Sequence, residues 1–169
     1  MRKLMLVLVT AALSLPALAV AGSPPSAADT AAAQKQCASM RTAMTAPLFK
    51  ASFGTNANKS NAFGKCVSAR ASKNAANRAA AAAQCTSAQQ ADPAGFAAKY
   101  GDGPHHKNAF VRCVHQVTQQ LNAAQVNATI NAAKQCSTER KADPAAFRTK
   151  YGGKNAFGKC VSSKVKQSG

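Results

Sequence analysis

The sequence predicts an all-α chain of three tandem small helical modules, each with one disulfide, joined by long continuous helices. Three observations predict it. The segment Asn61-Ala62-Phe63-Gly64-Lys65-Cys66-Val67 recurs as Asn108-Ala109-Phe110-Val111-Arg112-Cys113-Val114 and as Asn155-Ala156-Phe157-Gly158-Lys159-Cys160-Val161. The six Cys fall two to a copy, because Gln36-Cys37, Gln84-Cys85 and Gln135-Cys136 recur upstream of that segment. Gly and Pro are absent from residues 65–92 and 105–143, so the last helix of one copy can run into the first helix of the next.

Residues 1–21 read as a secretory signal peptide. Arg2 and Lys3 form the charged start, residues 4–15 the apolar run, and Ala19-Val20-Ala21 a small-residue site for cleavage after Ala21 or Ala19. That run is shorter than the roughly 20 residues that cross a bilayer. The first thiol, Cys37, lies well beyond the cleavage point, so nothing there can take a lipid. The expected location is therefore secreted and extracellular. Residues 22–30 read as a flexible linker, with Gly22-Ser23-Pro24-Pro25-Ser26 at its start.

The modules follow as residues 31–73, 74–120 and 121–166, with 167–169 as a tail. Each parses into an Ala-rich helix carrying Gln-Cys, a short helix that starts at Asp-Pro and stops at Gly, and a third helix that starts at Asn. Asp92-Pro93-Ala94-Gly95-Phe96 matches Asp143-Pro144-Ala145-Ala146-Phe147, and both stretches end in Lys-Tyr-Gly. Asp92 and Asp143 suit the N-cap with Pro in the first turn. Asn61, Asn108 and Asn155 can cap the third helix, and Gly54, Gly101 and Gly152 suit a left-handed stop. The first copy departs from the pattern, with Thr45 and Ala46 where Asp-Pro is expected. Phe63, Cys66 and Val67 fall on one helical face, which places the thiol beside the ring in a module core. The nine rings of the chain divide three to a module, so all of them are assigned to cores.

Six Cys in an exported chain point to three disulfides, and six allow 15 pairings. The repeat selects Cys37–Cys66, Cys85–Cys113 and Cys136–Cys160. A continuous helix would hold Cys66 and Cys85 about 28 Å apart, far beyond bonding reach. Each bond closes a loop that contributes on the order of 3 kcal/mol. Only ten Val, Ile or Leu follow Ala21, so that contribution decides whether a module folds. The repeat resembles a group of secreted bacterial Ala-rich repeat proteins with two Cys per repeat, best in Lys154-Asn155-Ala156-Phe157-Gly158-Lys159-Cys160-Val161. No activity is attached to that group, so the resemblance implies export and Cys pairing alone.

Catalysis is not expected, and no cofactor or metal is implied. The acids beyond the leader are Asp29, Asp92, Asp102, Glu139 and Asp143, two of them expected as caps. The Cys spacing lacks the close pairs of a zinc site, and His105, His106 and His115 read as surface imidazoles. Charge remains: 20 Lys or Arg stand against five acids after Ala21. The residues expected to hold a polyanion are Lys65, Arg112 and Lys159, each just before the second Cys, with the recurring Lys99 and Lys150, Lys107 and Lys154. The partner would be an anionic polymer: wall polyanion, polysaccharide, lipid headgroups or extracellular nucleic acid. With every ring in a core, base stacking and sugar stacking are disfavoured. Insertion of the connecting helices into a membrane is disfavoured too, since they carry Asn, Gln and Ala. The plainest reading of the charge is a solvated face that keeps an Ala-rich chain in solution. An alternative is a structural or protein-interaction spacer using the helices around residues 70–83 and 117–133. A third, a toxic or inhibitory peptide-like protein, has only basicity behind it.

Overall fold

A computed structural model describes residues 24–103 and 105–167. The leader expected over 1–21, with its cleavage sites at Ala19 and Ala21, lies outside the described residues. Seven helices follow one another: α1 (Ala27–Ala43), α2 (Ala46–Phe53), α3 (Ala62–Ala91), α4 (Pro93–Tyr100), α5 (Ala109–Ala142), α6 (Pro144–Tyr151) and α7 (Ala156–Gln167). Among the described residues there is no strand, and no helix is long and apolar enough to cross a membrane.

Local chemistry sets the boundaries. Ser26 accepts a hydrogen bond from the Asp29 N–H, and the Asp29 carboxylate accepts one from the Ser26 N–H. This capping box starts α1 at Ala27, so the linker expected over 22–30 ends four residues early. Asp92 accepts from the Gly95 N–H, and Asp143 from the Ala145 and Ala146 N–H groups, at the heads of α4 and α6. The short helix of the first copy forms without that cap, on Pro47 in its first turn.

Two expected devices work differently. Gly54 and Gly101 are extended, and only Gly152 of the three has a left-handed φ, +71°. At Gly101 the need is space: a Cβ there would sit 2.5 Å from both the Ala97 carbonyl oxygen and His106 Cα. Asn61 and Asn108 make no side-chain cap. Asn108 and Asn155 instead supply left-handed residues, φ +60° and +55°, which Asn adopts more readily than other side chains.

The two long helices, of 30 and 34 residues, each run through from one copy to the next. They pack antiparallel: Arg70 meets Gln125, Asn77 meets Asn122, and Cys85 meets Cys113. α1 lies antiparallel on the first half of α3, and α7 on the last part of α5. α4 closes the far tip of the hairpin, while α2 is wedged among α3, α5 and α7 at the near end. The disulfides join Cys37 to Cys66, Cys85 to Cys113 and Cys136 to Cys160, with Cα separations of 6.0, 6.0 and 6.1 Å.

Among the described residues there are two cores. One contains Met40, Met44, Phe49 and Cys37–Cys66 together with Ala133, Phe147, Phe157, Val161 and Cys136–Cys160, so the first and third copies share it. The second is small: Cys85, Phe96 and Cys113, flanked by Tyr100, Val114 and Val117. Sharing solves the shortage of aliphatics for two copies, because α2 and α7 bury each other. α7 approaches closely at Gly158, where a Cβ would lie 3.1 Å from the Ser52 carbonyl oxygen. Between the cores, α3 and α5 meet through Ala71, Ala75, Ala81 and a polar belt. The Asn77 amide donates to Asn122 Oδ1 (2.7 Å) and accepts from Gln125 Nε2 (3.2 Å).

Candidate functional site

Two adjoining clefts open at the near end, where the first and third copies meet. The first, about 280 Å³, is lined by Ala51, Lys59, Arg140, Pro144, Phe147, Arg148, Gly153, Asn155, Ala156 and Phe157. The second, about 400 Å³, is lined by Thr45, Pro47, Leu48, Lys134, Ser137, Thr138, Arg140 and Lys141. Arg140 belongs to both, and neither lining contains Asp or Glu. The two walls come from opposite ends of the sequence and meet because the α3–α5 hairpin folds the chain back on itself.

Two of these cations, Lys59 and Arg140, are placed by specific contacts. Lys59, at φ +59°, donates from Nζ to the Gly54 carbonyl (2.9 Å) and to Asn155 Oδ1 (2.8 Å), which ties the loop before α3 to the loop before α7. The Arg140 guanidinium lies over the Phe157 ring, 4.8 Å from its centroid. A guanidinium held over a ring face keeps its N–H donors for other partners, and such a fork can grip a phosphate or sulfate through paired hydrogen bonds. Lys134, Lys141 and Arg148 are exposed and complete the rim. Five cations and no anion at one concavity raise the local potential well above that of an isolated lysine.

The acids are occupied elsewhere. Asp92 and Asp143 cap helices. Asp29 pairs with Arg78 at 2.9 Å, Asp102 pairs with Arg112, and Glu139 takes Lys150 at 2.7 Å and Lys164 at 3.5 Å. Glu139 also accepts from the Tyr151 hydroxyl. The Lys150 hydrogen bond chiefly holds the Glu139 carboxyl below its ordinary pKa, and the same contact raises Lys150. Among the described residues no three His, Cys, Asp or Glu cluster as metal ligands would.

All seven cations expected from the sequence are exposed, but they do not share one face. Lys99, Lys107 and Arg112 belong to the far tip; Lys65, Lys150, Lys154 and Lys159 belong to the near end. Lys154 falls between two cleft residues, Gly153 and Asn155, and Lys159 Nζ lies beside Gly152. The remaining expected cations stand outside both linings, two of them in ion pairs. Lys59, Lys134, Arg140, Lys141 and Arg148 are not among the cations that recur between the second and third copies. Their signal was the reverse: Lys134, Arg140, Lys141 and Arg148 stand where the second copy has Ala83, Gln89, Gln90 and Ala97.

The rings also depart from expectation. Phe110, the second-copy counterpart of Phe63 and Phe157, lies outside both cores and is 36% exposed. Compared with protein-family models, curated proteins and solved structures, the chain matches none.

Proposed function

We propose that this chain is a secreted, non-enzymatic protein of three tandem disulfide-stapled repeats that holds phosphate- or sulfate-bearing polymers outside the cell. The grip is the basic cleft around Arg140. One observation carries the reading: five cations line adjoining concavities that contain no carboxylate, while every acid beyond the leader is engaged as a cap or an ion pair. The thiols are in disulfides and the acids are engaged as caps or ion pairs, so the site offers neither a thiolate nor a carboxylate pair. The helices offered for a protein partner, around residues 70–83 and 117–133, face each other across the hairpin, so the spacer reading gains no support.

The test is retention on heparin and on phosphocellulose. The Arg140→Gln, Lys141→Gln, Arg148→Ala variant gives the third copy the residues of the second and should bind roughly tenfold more weakly near 0.1 M salt. A control variant with the same charge loss away from the cleft, Lys65→Gln, Lys99→Gln, Lys107→Gln, should lose far less. Equal losses would assign the binding to net charge alone, and passage of the native chain straight through at low salt would reject the reading.

A further inference from the structure

The far tip of the α3–α5 hairpin differs from the other two copies in a way that packing does not require. In the first copy the Arg41 guanidinium covers Phe63, 5.5 Å from its centroid, and in the third Arg140 covers Phe157 at 4.8 Å. The second copy has Gln89 at that position, with no guanidinium to cover Phe110, which is 36% exposed. The next residue departs as well: Gly64 and Gly158 become Val111, which is 66% exposed. Gly158 is needed for the approach of α7 to α2, whereas Val111 at the tip is left largely uncovered. Among the described residues, Phe110 and Val111 are the exposed large hydrophobic side chains, and they are neighbours.

Cations surround them. Lys99 ends α4, Lys107 lies in the loop before α5 and Arg112 follows on α5, all exposed, with the imidazoles of His105, His106 and His115 among them. Of the acids here, Asp102 is paired with Arg112 and Asp92 caps α4. A pair of apolar side chains on a protruding tip within a cationic collar matches an anionic bilayer, whose headgroups attract the collar while the interface admits the apolar pair. A folded protein partner fits less well, since a stable interface takes about 800 Å² from each side and two side chains supply a fraction of that. A strand of nucleic acid would use the ring but not Val111.

We propose that this tip is a docking surface for anionic lipid bilayers, with Phe110 and Val111 entering the interface. The site is distinct from the basic cleft and does not depend on it.

The chain contains no Trp, so Val111→Trp places a single fluorescent reporter at the tip of the full oxidised protein. Its emission should shift to the blue with phosphatidylcholine vesicles containing phosphatidylserine, and stay unshifted with heparin. Without the reporter, the Phe110→Ser, Val111→Gly variant should partition about tenfold less onto the same vesicles, with heparin elution unchanged. Absence of a blue shift on those vesicles, a shift with single-stranded oligonucleotide alone, or undiminished partition of the double variant would each overturn the proposal. Loss of heparin retention with vesicle binding intact would instead remove the cleft reading and leave this one standing.

Discussion

Single polar residues hold the middle of this bundle, where aliphatics are scarce. Arg70, 4% exposed, donates to Gln36 Oε1 (2.9 Å), Gln125 Oε1 (3.2 Å) and the Asn122 carbonyl (3.4 Å), which joins α1, α3 and α5. Burial lowers its pKa from the ordinary guanidinium value, yet Arg starts so high that it stays charged. One turn along α3, the Asn74 amide donates to the Asp29 carbonyl at 3.0 Å. Asp29 is the sharper case. Burial alone would raise its pKa, but hydrogen bonds from Arg78 and from the Ser26 hydroxyl and N–H outweigh that and bring it below 3.8. A depressed carboxylate pKa stabilises the fold above the unfolded value and loses that contribution as pH falls through the folded one. Asp29→Asn should therefore cost about 1–2 kcal/mol near neutrality, from the lost capping box and ion pair, and much less near pH 2.5. Urea midpoints at the two pH values check this. An equal loss at both would mean that the charge of Asp29 contributes nothing.

At the scale of elements, the three disulfides close loops of similar span, 29, 28 and 24 residues, so their chain-entropy contributions are nearly equal, about 3 kcal/mol each. Their surroundings differ. Cys37–Cys66 and Cys136–Cys160 lie in one shared core, whereas Cys85–Cys113 has only Phe96 as a buried companion. Replacing Cys85 and Cys113 by Ser should free α4 and the hairpin tip while α1 and α7 hold. In hydrogen exchange, amides of 93–100 would then approach unstructured rates and those of 156–167 stay protected. A uniform loss of protection would show that the tip and the shared core unfold as one unit. The elements themselves were largely legible: Asp-Pro marked α4 and α6, the Asn-Ala-Phe segments marked the third helices, and the gap in Gly and Pro marked the long ones. Gly152 takes the left-handed φ expected of it, but Gly54, Gly101, Asn61 and Asn108 act otherwise, because sequence shows which residue stands at a boundary, not whether it supplies φ, space or a hydrogen bond. Arg70 follows Phe63 and Cys66 on the same helical face, which places it inside despite its charge.

At the scale of the molecule, local similarity between copies says nothing about which copies meet, so neither the shared core nor the cleft could be read from the repeat alone. The hairpin decides it, since folding α5 back along α3 returns the third copy to the first and leaves the second alone with Phe110 36% exposed. The same arrangement concentrates charge, because two cationic copies are brought into contact. After Ala21 the chain has 20 basic and five acidic residues, and ion pairs form at four side-chain contacts among the described residues. Exposed pairs contribute about 0–1 kcal/mol each. The remaining cations have mainly like-charged neighbours, and that self-repulsion favours the expanded chain. Salt screens both terms, so the larger one fixes the sign of its effect. Repulsion is the larger here, and raising NaCl from about 0.02 to 0.5 M should raise the melting temperature by about 2–4 °C, equivalent to roughly 1 kcal/mol for a chain of this size. Scanning calorimetry of the oxidised chain measures it directly. A melting temperature that falls with salt would mean that the Asp29, Asp102 and Glu139 pairs outweigh the repulsion. Neutralising Arg140, Lys141 and Arg148 should reduce the salt response, because these three crowd the junction that the first and third copies share.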